Sequence, residues 1–174
     1  MSENLDVDQY RNGDPIPQVQ DPLEWSKLKT GAWCYYKNNK ENGKKFGKLY
    51  NWYAVNDFRG LAPKGFHIPT EDEWTQLSEH LGQKGGSKLK SDKGWIEGGN
   101  GNNKSGFSAI ASGYRYADAS RFAYGYTCWW SSTESIDIEH AWYRYVGFDI
   151  DDLGKAYNYK GYGLSVRCIK DNDQ

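Results

Sequence analysis

The carboxylates of Glu71, Asp72 and Glu73 are the densest group in this chain that invites acid–base chemistry, and Cys34, Cys128 and Cys168 are its thiols. The carboxylates have a simpler use. Thr70 with Glu73 matches the S/T-x-x-E capping box, in which hydroxyl and carboxylate satisfy N–H groups that the first helical turn leaves unpaired. All three acids then sit at the positive end of the helix dipole. No nucleophile accompanies them: Gly-x-Ser-x-Gly is absent, and Ser131, Ser132 and Thr133 read as strand and turn residues, a hydroxyl cluster without a triad. His67, His80 and His140 lie far apart and no HExxH occurs, so each reads as a packed or surface histidine rather than a metal ligand or catalytic base.

Two near-motifs fail on chemistry. Gly98 to Ser105 reads G-x-x-x-x-N-K-S, with Asn103 where a P-loop needs glycine and without the flanking strand and helix. Asp149, Asp151, Asp152 and Gly154 imitate the start of an EF-hand loop, but Leu153 and Lys160 stand at its fifth and twelfth positions, so the cage does not close. An acidic hairpin is the better account, and a partial, loop-built calcium site is the alternative left open. The expectation is no cofactor, no metal and no catalytic residue. Three cysteines leave at least one unpaired within the chain, and no CxxC marks a zinc ribbon or redox site.

The aromatic residues carry more. Trp 8, Tyr 14 and Phe 6 must fill much of the core, because Leu and Ile are scarce. From Tyr114 to Tyr162 the rings are interleaved with Ser, Asp, Asn and Arg. Alternation in Trp142-Tyr143-Arg144-Tyr145-Val146 buries one face of a strand and leaves the other outward. Rigid amphipathic rings beside short polar groups are the chemistry of protein-binding paratopes, and sugars stack on the same rings. Cross-strand core packing is the competing account. The candidate binding residues are Tyr116, Arg121, Tyr124, Tyr143, Tyr145, Tyr157 and Asn158, and the partner is a protein or a carbohydrate.

At 174 residues the chain fits one domain, 1–174. A formal charge of -1, from 22 basic and 23 acidic side chains, with no basic stripe, removes the footprint of nucleic-acid binding. No apolar run is long enough to span a bilayer, and no signal-peptide pattern follows Met1, so direct membrane insertion is not expected. Composition is silent on oligomeric state.

The elements that must position these residues follow in order. Residues 1–30, with Asn12-Gly13-Asp14-Pro15 and Asp21-Pro22, read as edge strand and wrapping segment. Ala32 to Tyr36 is β-prone and Asn38 to Gly43 a polar turn. Leu49 to Val55 fits either period, with a short helix favoured. The helix from Thr70 to Leu81 has both ends written: the capping box at its start, Trp74, Leu77 and Leu81 on one stripe, and Gly82 at its stop. Residues 82–106 read as a long surface loop pinned by Trp95. Short runs at Phe107–Arg115, Cys128–Ser132, Ala141–Gly147, Lys155–Tyr159 and Leu164–Ile169 imply an antiparallel meander. Strands, two helices, a loop, then strands make an α+β order rather than alternating βαβ.

Gly47-Lys48-Leu49-Tyr50-Asn51-Trp52-Tyr53-Ala54-Val55, Gly60 to Trp74, Ser105-Gly106-Phe107-Ser108-Ala109, Trp130-Ser131-Ser132-Thr133-Glu134 and Ser165-Val166-Arg167-Cys168 closely resemble the Fibrobacter succinogenes major paralogous domain family. The resemblance covers nearly the whole chain. Where many members carry Cys-Pro, this chain has Ala62-Pro63, so a disulfide from there to Cys168 is unavailable. The family implies a bacterial secreted or cell-surface protein. More distantly, Pro69-Thr70-Glu71-Asp72-Glu73-Trp74 and Gly163-Leu164-Ser165-Val166-Arg167 resemble the formylglycine-generating branch of the C-type-lectin-like fold. That implies two helices packed on twisted antiparallel sheets with long irregular loops. It brings two functional expectations: a non-catalytic binding or adhesion module, akin to the variable proteins of diversity-generating retroelements, or a cysteine oxidase. The oxidase calls for a close pair of reactive cysteines, whereas Cys128 and Cys168 lack that local spacing. A purely structural surface domain is the third reading.

Overall fold

The computed structural model describes residues 1–172. The N-terminal segment wraps the body through buried Leu5, Tyr10, Ile16 and Val19, held by the isolated bridges Gln9↔Pro15 and Gln18↔Trp33 rather than by a regular edge strand. Helix α1 (Pro22–Ser26) is capped by Asp21, which accepts from the Glu24 N–H at 2.8 Å, and it buries Trp25. Then come β1 (Trp33–Cys34), a 3₁₀ turn (Tyr36–Asn38), α2 (Lys40–Phe46), β2 (Leu49–Tyr50) and α3 (Trp52–Val55).

Two expectations change here. Part of the stretch read as a polar turn is the start of α2, which Asn39 caps by accepting from the Glu41 N–H at 3.0 Å. The ambiguous run at Leu49 to Val55 is split: β2 pairs antiparallel with β1, and α3 follows as one helical turn. Asn51 makes the break, its Oδ1 accepting from the N–H groups of both Ala54 (3.1 Å) and Ala32 (3.0 Å).

After β3 (Phe66–His67), α4 (Glu71–Leu81) forms as the sequence implies. Glu73 N–H donates to Thr70 Oγ1 at 3.2 Å, Thr70 N–H donates to Glu73 Oε2 at 2.8 Å, and Gly82 ends the helix at φ +62. Trp74 is 2% exposed and stacks on Trp129, with ring centroids 5.9 Å apart.

Residues 82–106 are not surface loop throughout. They contain α5 (Gly85–Leu89) and bury Leu89, Lys90 and Trp95. The Lys90 ammonium donates to the carbonyls of Gly147 and Ile150, each at 2.9 Å, and lies over the Trp95 ring. Glycine, which reads as loop, serves close packing: a Cβ on Gly86 would stand 2.4 Å from the Asp152 carbonyl oxygen.

The C-terminal half holds β4 (Tyr114–Arg115), β5 (Phe122–Ala123), β6 (Tyr126–Glu134), β7 (His140–Gly147), β8 (Gly154–Tyr159) and β9 (Ile169–Lys170). The meander is narrower than expected. β6, β7 and β8 form one antiparallel sheet, while β4–β5 and β3–β9 are separate antiparallel pairs. Most of Leu164 to Ile169 is joined only by single bridges, Leu164↔Tyr50 and Ser165↔Trp129. Among the described residues the fold is therefore α+β with five α-helices, not two, and several small antiparallel sheets.

The β6–β7–β8 sheet packs against core on both faces, most closely along β6. Trp129, Arg144 and Val146 face α4 and a cluster of Trp74, Leu81, Leu89, Trp95 and Ala109. Cys128, Trp130 and Ala141 face the other way, into a core with Trp33, Tyr50, Leu164 and Val166. Near its tip, β6 shifts register between Trp130 and Glu134, freeing the Ser131 carbonyl to accept from Trp52 Nε1 and the Ser132 N–H to donate to the Pro69 carbonyl, each at 2.8 Å.

Candidate functional site

On the face of the sheet away from α4, three hairpin-derived segments bring tyrosines together. Arg115 is fully buried on β4, donating to the carbonyls of Val19 and Gln20 at 2.8 Å each and lying over Trp25. Because Arg115 is directed inward, Tyr114 and Tyr116 on either side of it share the opposite face. The Ala119 turn at φ +55 is stabilised by Asp118, which accepts from the Ser120 N–H and hydroxyl at 3.0 and 2.8 Å. Arg115 and Gly163 exchange two backbone hydrogen bonds of 2.9 Å, which brings Tyr162 beside the pair. Tyr143 and Tyr145 arrive from β7.

Ring centroids lie 5.3 Å apart for Tyr114–Tyr116, 5.5 Å for Tyr116–Tyr162, 6.2 Å for Tyr114–Tyr162 and 5.8 Å for Tyr143–Tyr145. All five tyrosines are half-buried. Asn158, on β8, faces the hydroxyls of both Tyr143 and Tyr162, linking the two subgroups. Arg121 lies 4.5 Å over the Tyr116 ring. Gly154 makes room for Tyr145: a Cβ there would stand 2.3 Å from its Cζ. Burial pushes the phenols of Tyr114 and Tyr143 well up, so they remain neutral donors and acceptors.

Of the sequence candidates, Tyr116, Arg121, Tyr143, Tyr145 and Asn158 thus share one surface. Tyr157 does not. It lies on the other face of β8, 48% exposed, in an edge-on contact with Trp142 (5.4 Å) and beside His140 and Tyr159. Tyr124 is elsewhere too, 6.4 Å from Tyr36 at the mouth of a separate cavity. Tyr114 and Tyr162 belong to the surface and were absent from the candidates. The Tyr114-Arg115-Tyr116 alternation was a signal for the first, whereas Tyr162 depends on the Arg115–Gly163 pairing.

The other chemistry-bearing groups are engaged structurally. Glu71 is buried, not merely a dipole partner as its position in the first turn implies: Arg144 donates to it, and Lys155 lies at 3.1 Å. His67 joins Asp171 (2.7 Å) to Glu73 (2.8 Å), and both hydrogen bonds raise its pKa. Asp151 accepts from Ser87 Oγ at 2.9 Å and Asp152 from the Lys84 N–H at 2.7 Å, so the EF-hand-like acids hold α5 in place. Cys34, Cys128 and Cys168 are free and buried. Burial pushes Cys34 and Cys168 up to about 11 and Cys128 further, away from the nucleophilic thiolate.

A family model described as the Fibrobacter succinogenes major domain matches residues 1–170. No curated protein and no solved structure matches the chain.

Proposed function

This chain belongs to the Fibrobacter succinogenes major domain family, and on that premise we propose that it is a non-catalytic binding module that engages a protein ligand through its tyrosine surface. One observation carries the reading: five half-buried tyrosines from three separate segments converge on one face with Asn158 and Arg121. Such rings supply large contact area at low entropic cost, and Tyr and Arg are the residues most often found at interface hot spots. Rings contributed by three separate segments suit contact with a protein better than with a small ligand. The buried, protonated thiols favour binding over cysteine oxidation. The remaining parts of the proposal are the C-type-lectin-like architecture, a place on the bacterial surface and kinship with retroelement-diversified binders. They rest on resemblance. Among the described residues no helix is long and apolar enough to cross a membrane.

The test compares wild type, a Tyr116→Ala/Tyr143→Ala double variant and Gly154→Ala, which crowds Tyr145, on an array of bacterial-surface proteins, host extracellular proteins and glycans. The expected result is a protein ligand whose signal both variants lose while each still melts cooperatively, the double variant at a lower temperature because Tyr143 packs on Trp130 and the core. An unchanged binding profile in the double variant, or ligands confined to glycans, overturns the reading.

A further inference from the structure

A second surface, formed by α2, the segment around Lys93 and the loop at Asn103–Ile110, is independent of the tyrosine face. A cavity of about 670 Å³ adjoins another of about 410 Å³, and the two share Lys45, Phe46, Ser108 and Ile110 as common walls. Both volumes lie in the range of small-ligand clefts, roughly 300–1,000 Å³. The shared walls set the two side by side, so a short polymer could reach both where a single compact ligand would fill one.

Charges of both signs line the groove they form: Glu3 and Asp6 stand in the smaller cavity and Asp92 in the larger, Asp6 being paired with Lys48, and cations are spaced between them. Lys93 lines the larger cavity, Lys45 the boundary and Arg167 the smaller one. Lys45 and Lys93 are exposed, and among the described residues neither forms an ion pair; Lys45 only overlies the Phe46 ring, at 5.0 Å. Arg167 is more informative. It is 4% exposed and donates to Asn4 Oδ1, at 3.3 Å, and to the Phe107 carbonyl, at 3.0 Å. Among the described residues no carboxylate pairs with it; Glu3 attracts it from beyond ion-pair distance. A buried guanidinium without a paired anion is costly, and an anionic ligand in the groove would offset that cost.

The remaining walls suit a sugar. Phe46 and the 51% exposed Tyr124 offer ring faces on which pyranose C–H groups pack. Asn103 and Ser108 both hold left-handed backbone, φ +48 and +56, and are locked together: Asn103 Nδ2 donates to Ser108 Oγ at 2.9 Å and Ser108 N–H to Asn103 Oδ1 at 2.8 Å. Backbone held in this sparsely populated region recurs at ligand clamps. Asp92 adds a hydroxyl acceptor. We infer that this groove binds an acidic oligosaccharide, with uronate carboxylates on Lys45, Lys93 and Arg167 and pyranose rings against Phe46 and Tyr124.

The experiment titrates trigalacturonate into the isotopically labelled full chain and follows backbone amide shifts. Expected are shifts centred on Lys45, Phe46, Asp92–Gly94, Asn103, Ser108 and Tyr124. Affinity should fall at least about tenfold in Lys93→Ala, Tyr124→Ala and the trimethyl ester of the ligand. The Tyr116→Ala/Tyr143→Ala variant should bind trigalacturonate as wild type does, so this inference and the tyrosine-face proposal fail separately. Arg167→Gln, checked for its melting temperature, should also weaken binding. No shift up to millimolar trigalacturonate, equal affinity for the ester, or shifts mapping to the tyrosine face would each overturn the assignment.

Discussion

Arg144, on the middle strand β7, donates to Glu71 in the first turn of α4, and both side chains are buried, 4% and 8% exposed. Thr75 Oγ1 accepts from the same guanidinium at 2.8 Å and Lys155 approaches Glu71 at 3.1 Å. The cluster fixes how the helix lies on the sheet, beside the Trp74–Trp129 stack. Breaking a buried pair leaves one charge uncompensated, so Arg144→Met should cost about 3–5 kcal/mol in urea unfolding. Adding Glu71→Leu should restore much of that loss. A double variant no more stable than the single one would show that the pair stabilises the fold beyond its own desolvation.

His67 makes stability depend on pH. Its hydrogen bonds to Asp171 and Glu73 raise its pKa above the ordinary 6.5. A raised folded-state pKa means that this contribution is fully present below about 6.5 and fades as pH rises through the folded value. The deficit in melting temperature of His67→Ala should therefore be larger at about pH 5.5 than at about pH 8.5. An equal deficit at both would show that the ring acts by packing alone.

Neutral phenols in the core and on the tyrosine face should be visible by titration. Burial raises Tyr114, Tyr143 and Tyr50 and pushes Tyr10 up to about 12. Fewer than the 14 tyrosines should ionise by about pH 11 in the native state, the remainder doing so on unfolding. Since the unfolded state loses these protons first, stability should fall as pH climbs past about 10. Simultaneous ionisation of all tyrosines in folded protein would contradict the burial of this surface.

The three thiols should be inert while the chain is folded. Cys34 is fully buried and Cys128 and Cys168 are 4% and 2% exposed. An aromatic disulfide reagent at neutral pH should modify none of them natively and three after denaturation. Rapid native labelling of any one would reopen the cysteine-oxidase reading.

What could be read from sequence was what short-range physics controls. The α4 boundaries follow from Thr70, Glu73 and Gly82, all within one helix length, and the structure forms both halves of the box. The α+β order and the β6–β7–β8 meander follow from hydrophobic period and turn residues. Membership of the family was legible for the same reason: the segments that resemble it are contiguous in sequence, and the family model matches residues 1–170. Polar composition hid α2 and α5, because capping by Asn39 and close packing at Gly86 use the same residue types as loops.

Tertiary structure decided the rest. Glu71 carries the sequence signature of a helix-dipole acid, and only the meeting of α4 with β7 turns it into the partner of Arg144. Alternation marks Tyr143 and Tyr157 as strand residues, yet only the β7–β8 register puts them on opposite faces, Tyr143 beside Tyr145 and Tyr157 beside Trp142. Tyr114, Tyr116 and Tyr162 meet because Arg115 is driven inward against Trp25 and bonds Gly163 from a distant segment. The sequence alone set α4, the β6–β7–β8 meander and the kinds of side chain available to build a surface. Long-range packing chose which of them form a surface, because pairing between distant segments depends on total burial rather than on any local pattern.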